Sequence, residues 1–511
     1  MSAASEALKT AIPAGDDIGR RYLRAALLTG ASGLLSRVLL GFTPLVLARV
    51  LGLEKYGVYA LVMSLVGVVA GTSGLGQNAA LQKFLPEYAI NNPARGHAIL
   101  VASVQIVGTV ILVVSAVLLF ASHGIARSIY RDASLAGVFQ FSILAVAATV
   151  LFNHFSSIII GLHRITTLSF ASVVRSAAFL IFGAGGAWFF GLYGALAGQV
   201  IAAVLALAIL ISETHSTAAW RLHPGDVTFA FRDVATEIMS FGIPALLAGV
   251  VVTFGNWWGS TMLVRHAGLP QLGLFGAAYS LMQVMLLLPS SLTVPAVSFL
   301  SETRAASGQQ AFSDLVGNNL RLIWALTLPI SFAFALFARN IMVLAFGNGF
   351  APAAGLTSWM AFTALIIAIN SQIGSAISSL GRMWQALAIN AIWLTIFMPV
   401  SYVAVARTGA LGLAVAYCIS YVIFTVVVWK YSQIYLDVRY QRLAQLISNT
   451  AFVLVLSLFL ARQVDGLVVV LAKLASLALL LVSEWLCVLR PEERRNVSSL
   501  MRRCFSDSMA E

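Results

Sequence analysis

Two arginines stand where charge is costly. Arg37 falls midway along an apolar run that ends near residue 50, and Arg175 midway along another over 165–189. A charge at the centre of a bilayer persists when it faces protein or water. Neither arginine has an Asp or Glu within one or two helical turns, so a local ion pair accounts for neither. Two roles stay open for each. One is snorkelling, or binding the backbone carbonyls of a neighbouring helix. The other is ligation of an anion, to which the planar guanidinium fork is suited. Lys473, in the last apolar run, reads more readily as snorkelling or a packing contact.

The second half of the chain lacks these charges. At the corresponding places stand Thr253 for Arg37, and Trp393 and Thr395 for Arg175. Its apolar runs instead carry Asn256, Trp257 and Trp258, then Gln283, Asn370, Gln372 and Asn390. Indole faces and amide edges suit sugars, which offer C–H faces for stacking and hydroxyls for hydrogen bonds. Amide contacts between helices and tryptophans at the membrane interface are the plainer alternative. Asn153 and His154 read as packing residues.

Some chemistries find no support. The carboxylates fall in termini, loops and helix ends, with Glu213, Glu237, Glu302 and Glu484 nearest the apolar runs. An exporter of organic cations ordinarily needs a buried carboxylate, and the sequence offers none. No G-x-x-x-x-G-K-[ST] motif is present. Cys418, Cys487 and Cys504 are far apart and lack histidines at ligand spacing, and they support neither a disulfide framework nor a zinc site. Asp226, Asp233 and Asp314 are scattered singly and read as solvated loop residues. No catalytic group, metal or cofactor is expected, and the chain reads as a non-enzyme.

The elements that would position these residues are membrane helices. Of the 511 residues 60% are hydrophobic and 10% charged, against about 25% charged in soluble domains. The composition implies an all-α polytopic membrane protein. Runs of about 20 apolar residues predict helices near 24–50, 57–76, 97–121, 136–161, 165–189 and 191–213. A second set falls near 237–265, 273–300, 317–345, 355–380, 383–406 and 409–429, and two more near 443–462 and 466–488. These give about 14 transmembrane helices. The implied organisation is a disordered lead over 1–20, a first six-helix lobe over 21–213 and a linker over 214–236. A second six-helix lobe over 237–429, a loop over 430–442, two C-terminal helices over 443–488 and a basic tail over 489–511 follow. About 20 Lys and Arg in alternate loops against about 8 in the others place both termini in the cytoplasm. The tail, with Arg490, Arg494, Arg495, Arg502 and Arg503, is expected on anionic lipid. The net charge of +12 is spread over short loops, which speaks against nucleic acid as a partner.

The two sets of six are copies. Gly52-Leu53-Glu54-Lys55-Tyr56-Gly57 returns roughly two hundred residues later as Gly268-Leu269-Pro270-Gln271-Leu272-Gly273. Phe84-Leu85-Pro86-Glu87 returns as Phe299-Leu300-Ser301-Glu302, and Gly191-Leu192-Tyr193-Gly194 as Gly409-Ala410-Leu411-Gly412. With both halves starting on one side, the repeats are parallel, related by an axis along the membrane normal. Gly71, Gly74 and Gly76 in the second helix and Pro289 and Pro295 in the eighth would serve as hinges, or as simple kinks.

The run from Ala48 to Leu61, followed by Gly74-Leu75-Gly76-Gln77 and Lys83-Phe84, resembles the opening of polysaccharide biosynthesis proteins. These are the oligosaccharide flippases of the multidrug/oligosaccharidyl-lipid/polysaccharide exporter superfamily. The resemblance implies two six-helix bundles around a cationic cavity. It implies, as cargo, an undecaprenyl-pyrophosphate-linked oligosaccharide, flipped across the bacterial inner membrane for exopolysaccharide or O-antigen assembly. Membrane lipids, a polysaccharide polymerase and glycosyltransferases would be its partners. In that setting Arg37 and Arg175 would bind the pyrophosphate, and Asn256, Trp257, Gln283, Asn370 and Gln372 would line the glycan path. A lipid II flippase, a drug or cation exporter and a non-transport scaffold for polysaccharide enzymes are the competing readings.

Overall fold

The computed structural model describes residues 15–91, 93–162, 164–216, 231–437, 443–460 and 466–488. The lead up to residue 14, most of the 214–236 linker, Arg439, Arg442 and the tail 489–511 lie outside them. Every regular element among the described residues is helical, because a chain with no water along most of its length must satisfy its backbone within itself. The helices are α1 (Gly15–Ser73), α2 (Gln77–Asn91), α3 (Pro93–Gly124), α4 (Leu135–Gly161), α5 (Ile165–Ala178) and α6 (Ala184–Ser216). There follow α7 (Phe231–Ala267), α8 (Leu269–Met285), α9 (Leu287–Leu336), α10 (Ala338–Phe346), α11 (Ala354–Ser379), α12 (Met383–Thr408), α13 (Ala410–Leu436), α14 (Leu443–Leu460) and α15 (Leu467–Ser483). Among the described residues nine stretches are long and apolar enough to cross a membrane, the first Leu35–Ser73 and the last Val468–Leu486. Phe120, Trp188, Phe189 and Phe190 are exposed, as suits side chains that face lipid.

The duplication extends to the backbone. Gly52 breaks α1 with φ 72° and ψ 175°, and Gly268 takes φ 83° and ψ 174° between α7 and α8. Gly191 inside α6 has φ 60° and ψ −138°, and Gly409 before α13 has φ 59° and ψ −130°. These positive-φ conformations cost little for glycine alone, which explains why the repeated motifs keep it. The latter part of α1, which corresponds to the predicted helix near 57–76, ends at Ser73 and turns through Gly74–Gly76, and its counterpart α8 breaks off between Met285 and Leu287.

The chain divides into two compact units, Met1–Leu51 with Leu65–Val250, and Gly52–Ser64 with Val251–Glu511. In the first, Leu81, Leu85, Ile99, Leu100, Phe152 and Ile158 form a core joined by Ala206, Leu210 and Ile238. A polar cluster fastens the first turns of α7 to α2 and α3. Both oxygens of Glu237 are used: Arg95 Nη2 donates to one at 2.6 Å and the Tyr88 hydroxyl to the other at 2.7 Å. The hydrogen bond to Glu237, together with burial, holds the Tyr88 phenol above its ordinary pKa.

In the second unit the two copies of the opening motif lie against each other. A Cβ on Gly57 would collide with the carbonyl of Leu269, and one on Gly273 with the carbonyl of Leu53. The reciprocity is that of a local twofold. Tyr56 and Ser280 hydroxyls add a 3.1 Å hydrogen bond across the same seam. Small residues at such crossings let helix backbones pack where lipid supplies no hydrophobic drive.

Two outcomes follow. Gly57→Val or Gly273→Val should cost about 1–3 kcal/mol through overpacking, seen as a lower Tm and loss of the monodisperse peak in detergent. Gly33→Ala, where a Cβ meets nothing within 4 Å, is the control. Glu237→Gln should cost about 1–2 kcal/mol, since charged hydrogen bonds are lost at a partly exposed site. The same change in an Arg95→Gln background should cost less.

Candidate anion site

Arg175 lies in the last turn of α5, where the helix widens into a π turn over Phe179–Gly183. Its guanidinium carbon sits 4.3 Å from the centroid of the Phe152 ring, contributed by α4. The side chain is half-buried. Among the described residues no carboxylate pairs with it; the ion pairs there are Arg95–Glu237 and Arg164–Glu213. A cation over an aromatic face gains about 2 kcal/mol when desolvated. Taking a guanidinium out of water costs several kcal/mol. For the buried part of the guanidinium, the ring offsets only part of that cost.

Arg37 belongs to α1 and is half-buried too. The two helices meet one residue from each arginine. Ser36 Oγ lies 2.8 Å from Ser176 Oγ and 3.1 Å from the carbonyl of Ser172. Ser36 and Ser176 are both buried, so their bond fixes α1 against α5 at this level.

The residues read as glycan contacts have diverse surroundings. The Tyr417 hydroxyl donates to Asn256 Oδ1 at 2.7 Å, and Asn370 Nδ2 donates to Thr425 Oγ1 at 2.8 Å. Both amides thus join helices in the way the plainer alternative describes. Gln372 is buried, whereas Gln283 is exposed. Trp257 packs against Phe254, and its indole N–H, like that of Trp258, is enclosed without a hydrogen-bond partner among the described residues. His154 is buried, 3.4 Å from Ser103 Oγ. Lys473 is buried with its ammonium 5.8 Å from the Phe337 ring centroid.

Where the first unit has Arg175, the second has Trp393, 2% exposed and stacked on Phe397 with Tyr417 and Tyr421 alongside. A Cβ on Gly255 of α7 would press on this indole. The α7–α12 pair of the second unit therefore repeats the α1–α5 pair of the first.

One reading needs correction. The apolar interior does hold a carboxylate: Glu484, at the end of the last helix, is 5% exposed with one oxygen unpartnered among the described residues. The sequence places it among the carboxylates nearest the apolar runs, at a helix end, and does not show that it is buried. Near it, Arg321 donates to the carbonyl of Val488 at 2.8 Å and Ser483 to Asn449 at 3.2 Å. The residues that sequence reading missed, Phe152, Ser36 and Ser176, carry no motif; phenylalanine and serine in an apolar run signal nothing until the helices are paired.

Comparison with known proteins agrees with this architecture. The chain is similar to the probable low-salt glycan biosynthesis flippase Agl15 of Haloferax volcanii, 20% identical over 77% of this chain and 80% of the relative. It is similar to the EPS I polysaccharide export inner membrane protein EpsE of Ralstonia solanacearum, 23% identical over 78% of this chain and 91% of the relative. Among solved structures, lipid II flippase MurJ in an inward closed conformation matches with a TM-score of 0.71 at 13% identity, over 89% of this chain and 98% of that one. An inward-facing MATE family transporter of the MOP superfamily matches with a TM-score of 0.71 at 12% identity, over 78% and 94%. The two structural matches show the fold alone, that of MOP superfamily transporters. The model of the polysaccharide biosynthesis protein family matches residues 23–299, more than half of the sequence, and the chain belongs to that family.

Proposed function

We propose that this chain is a flippase that moves a polyprenyl-pyrophosphate-linked oligosaccharide across the bacterial inner membrane for exopolysaccharide or O-antigen assembly. Family membership and the two glycan-related relatives support the class. The observation that carries the anionic cargo is Arg175, set over the Phe152 ring with no carboxylate paired to it among the described residues. In this reading the chain makes fourteen crossings with both termini in the cytoplasm. Crossings then alternate in direction, so the first and fifth run parallel. In a parallel pair that meets through Ser36 and Ser176, the residue after one and the residue before the other project to the same side of the seam. Arg37 and Arg175 then form one cationic face, and each guanidinium grips phosphate oxygens by charge-assisted hydrogen bonds.

Cargo release follows from alternating access. The lobes over 21–213 and 237–429 rock about the paired helices, the polyprenyl tail stays in lipid, and the glycan crosses beside amide and indole groups such as Gln283 and Trp257. Membrane lipids, a polymerase and glycosyltransferases complete the setting.

Arg37→Ala and Arg175→Ala should each lower polymer export about 10- to 100-fold, the worth of a charged hydrogen-bonded contact, at unchanged membrane abundance. The Lys variants should keep part of the activity, because lysine retains charge and loses the fork. Normal export by the double Ala variant would contradict the anion site.

A further inference from the structure

We infer that Phe152 is a positioning residue for this anion site: its ring holds the Arg175 guanidinium flat, so that the N–H edge, and not the face, is presented to a pyrophosphate group. The inference rests on the reading of Arg175 as a ligand for the cargo.

Three observations carry it. The first is the 4.3 Å separation between the guanidinium carbon and the ring centroid. A guanidinium stacked on a ring spends its face on the quadrupole, while its five N–H donors radiate in the plane and stay free for oxygen atoms. The second is the fixity of the platform. Phe152 is 6% exposed and belongs to the core of the first unit with Leu81, Ile99 and Ala206. A long arginine chain with many rotamers is thereby held against an immobile surface, which is what preorganisation of a charged ligand requires.

The third is what the duplicate does. Counting from the matched glycines Gly191 and Gly409, the place of Arg175 is taken by Trp393 and the place of Phe152 by Asn370. Trp393 stacks on Phe397, and Asn370 is bonded to Thr425. Cation and aromatic platform are both present in one half and both replaced in the other.

The test uses the full-length protein in nanodiscs, with farnesyl pyrophosphate as the probe, farnesol as its uncharged control, and binding measured by calorimetry. Phe152→Leu keeps the apolar bulk and removes the ring; Phe152→Tyr keeps the ring. Phe152→Leu should weaken farnesyl pyrophosphate binding roughly 2- to 30-fold, the range for a cation–aromatic contact. Phe152→Tyr should stay within about twofold of the parent, and Phe152→Leu should add nothing in an Arg175→Ala background. Equal loss from the Leu and Tyr variants, equal loss for farnesol, or the same loss with and without Arg175 would overturn the positioning role. Should Phe152→Leu fail to give a monodisperse protein, Phe152→Met and Phe152→Trp take the two arms. The two readings fail separately. No loss in Arg175→Ala overturns the anion site itself, whereas loss in Arg175→Ala without loss in Phe152→Leu overturns only the role of the ring.

Discussion

A guanidinium in an apolar helical bundle, with an aromatic ring against its face, sets the terms for the first unit. Burial penalises a charge and the ring offsets part of that penalty; in the proposed reading an anion supplies the rest. The helices around it are built to tolerate that condition. Ser36 and Ser176 fix α1 to α5 beside the charge, Phe152 is fixed by the core, and the first turns of α7 are fastened by Arg95, Tyr88 and Glu237. In the proposed flippase, a site of this kind would gain its remaining stabilisation from the cargo.

The duplicated framework shows how a symmetric scaffold acquires an asymmetric site. The two halves share positive-φ glycines at Gly52 and Gly268 and at Gly191 and Gly409, and the close seam of Gly57 with Gly273. These are backbone requirements, and they resist drift because any side chain would strain or collide. The side chains between them are free to diverge. One half keeps a cation and its platform, and the other fills the equivalent place with Trp393, Phe397, Tyr417 and Tyr421.

Much of this was legible in the sequence, for physical reasons. Apolar runs of membrane length and the Gly-Leu repeats report backbone constraints, and those are local. Arg37 and Arg175 stood out because charge is rare in such runs. What stayed hidden depends on which helices touch. Nothing in a single apolar run marks Phe152 as the partner of Arg175, or Ser36 as the partner of Ser176. Asn256 and Asn370 read equally well as sugar contacts or as bonds between helices, and only Tyr417 and Thr425, far off in sequence, show that each amide has a protein partner. Glu484 is a related case: the sequence places it at a helix end near the apolar runs, and its burial shows only in the packing of α9 and α14 around it.

The most direct measurement is extraction of polyprenyl-pyrophosphate glycans from cells that lack this protein, with an external glycosidase assigning their leaflet. An oligosaccharide of complete repeat-unit composition should accumulate on the inner leaflet, protected from the enzyme until the membrane is opened. Normal polymer with no lipid-linked glycan accumulating would contradict the flippase assignment.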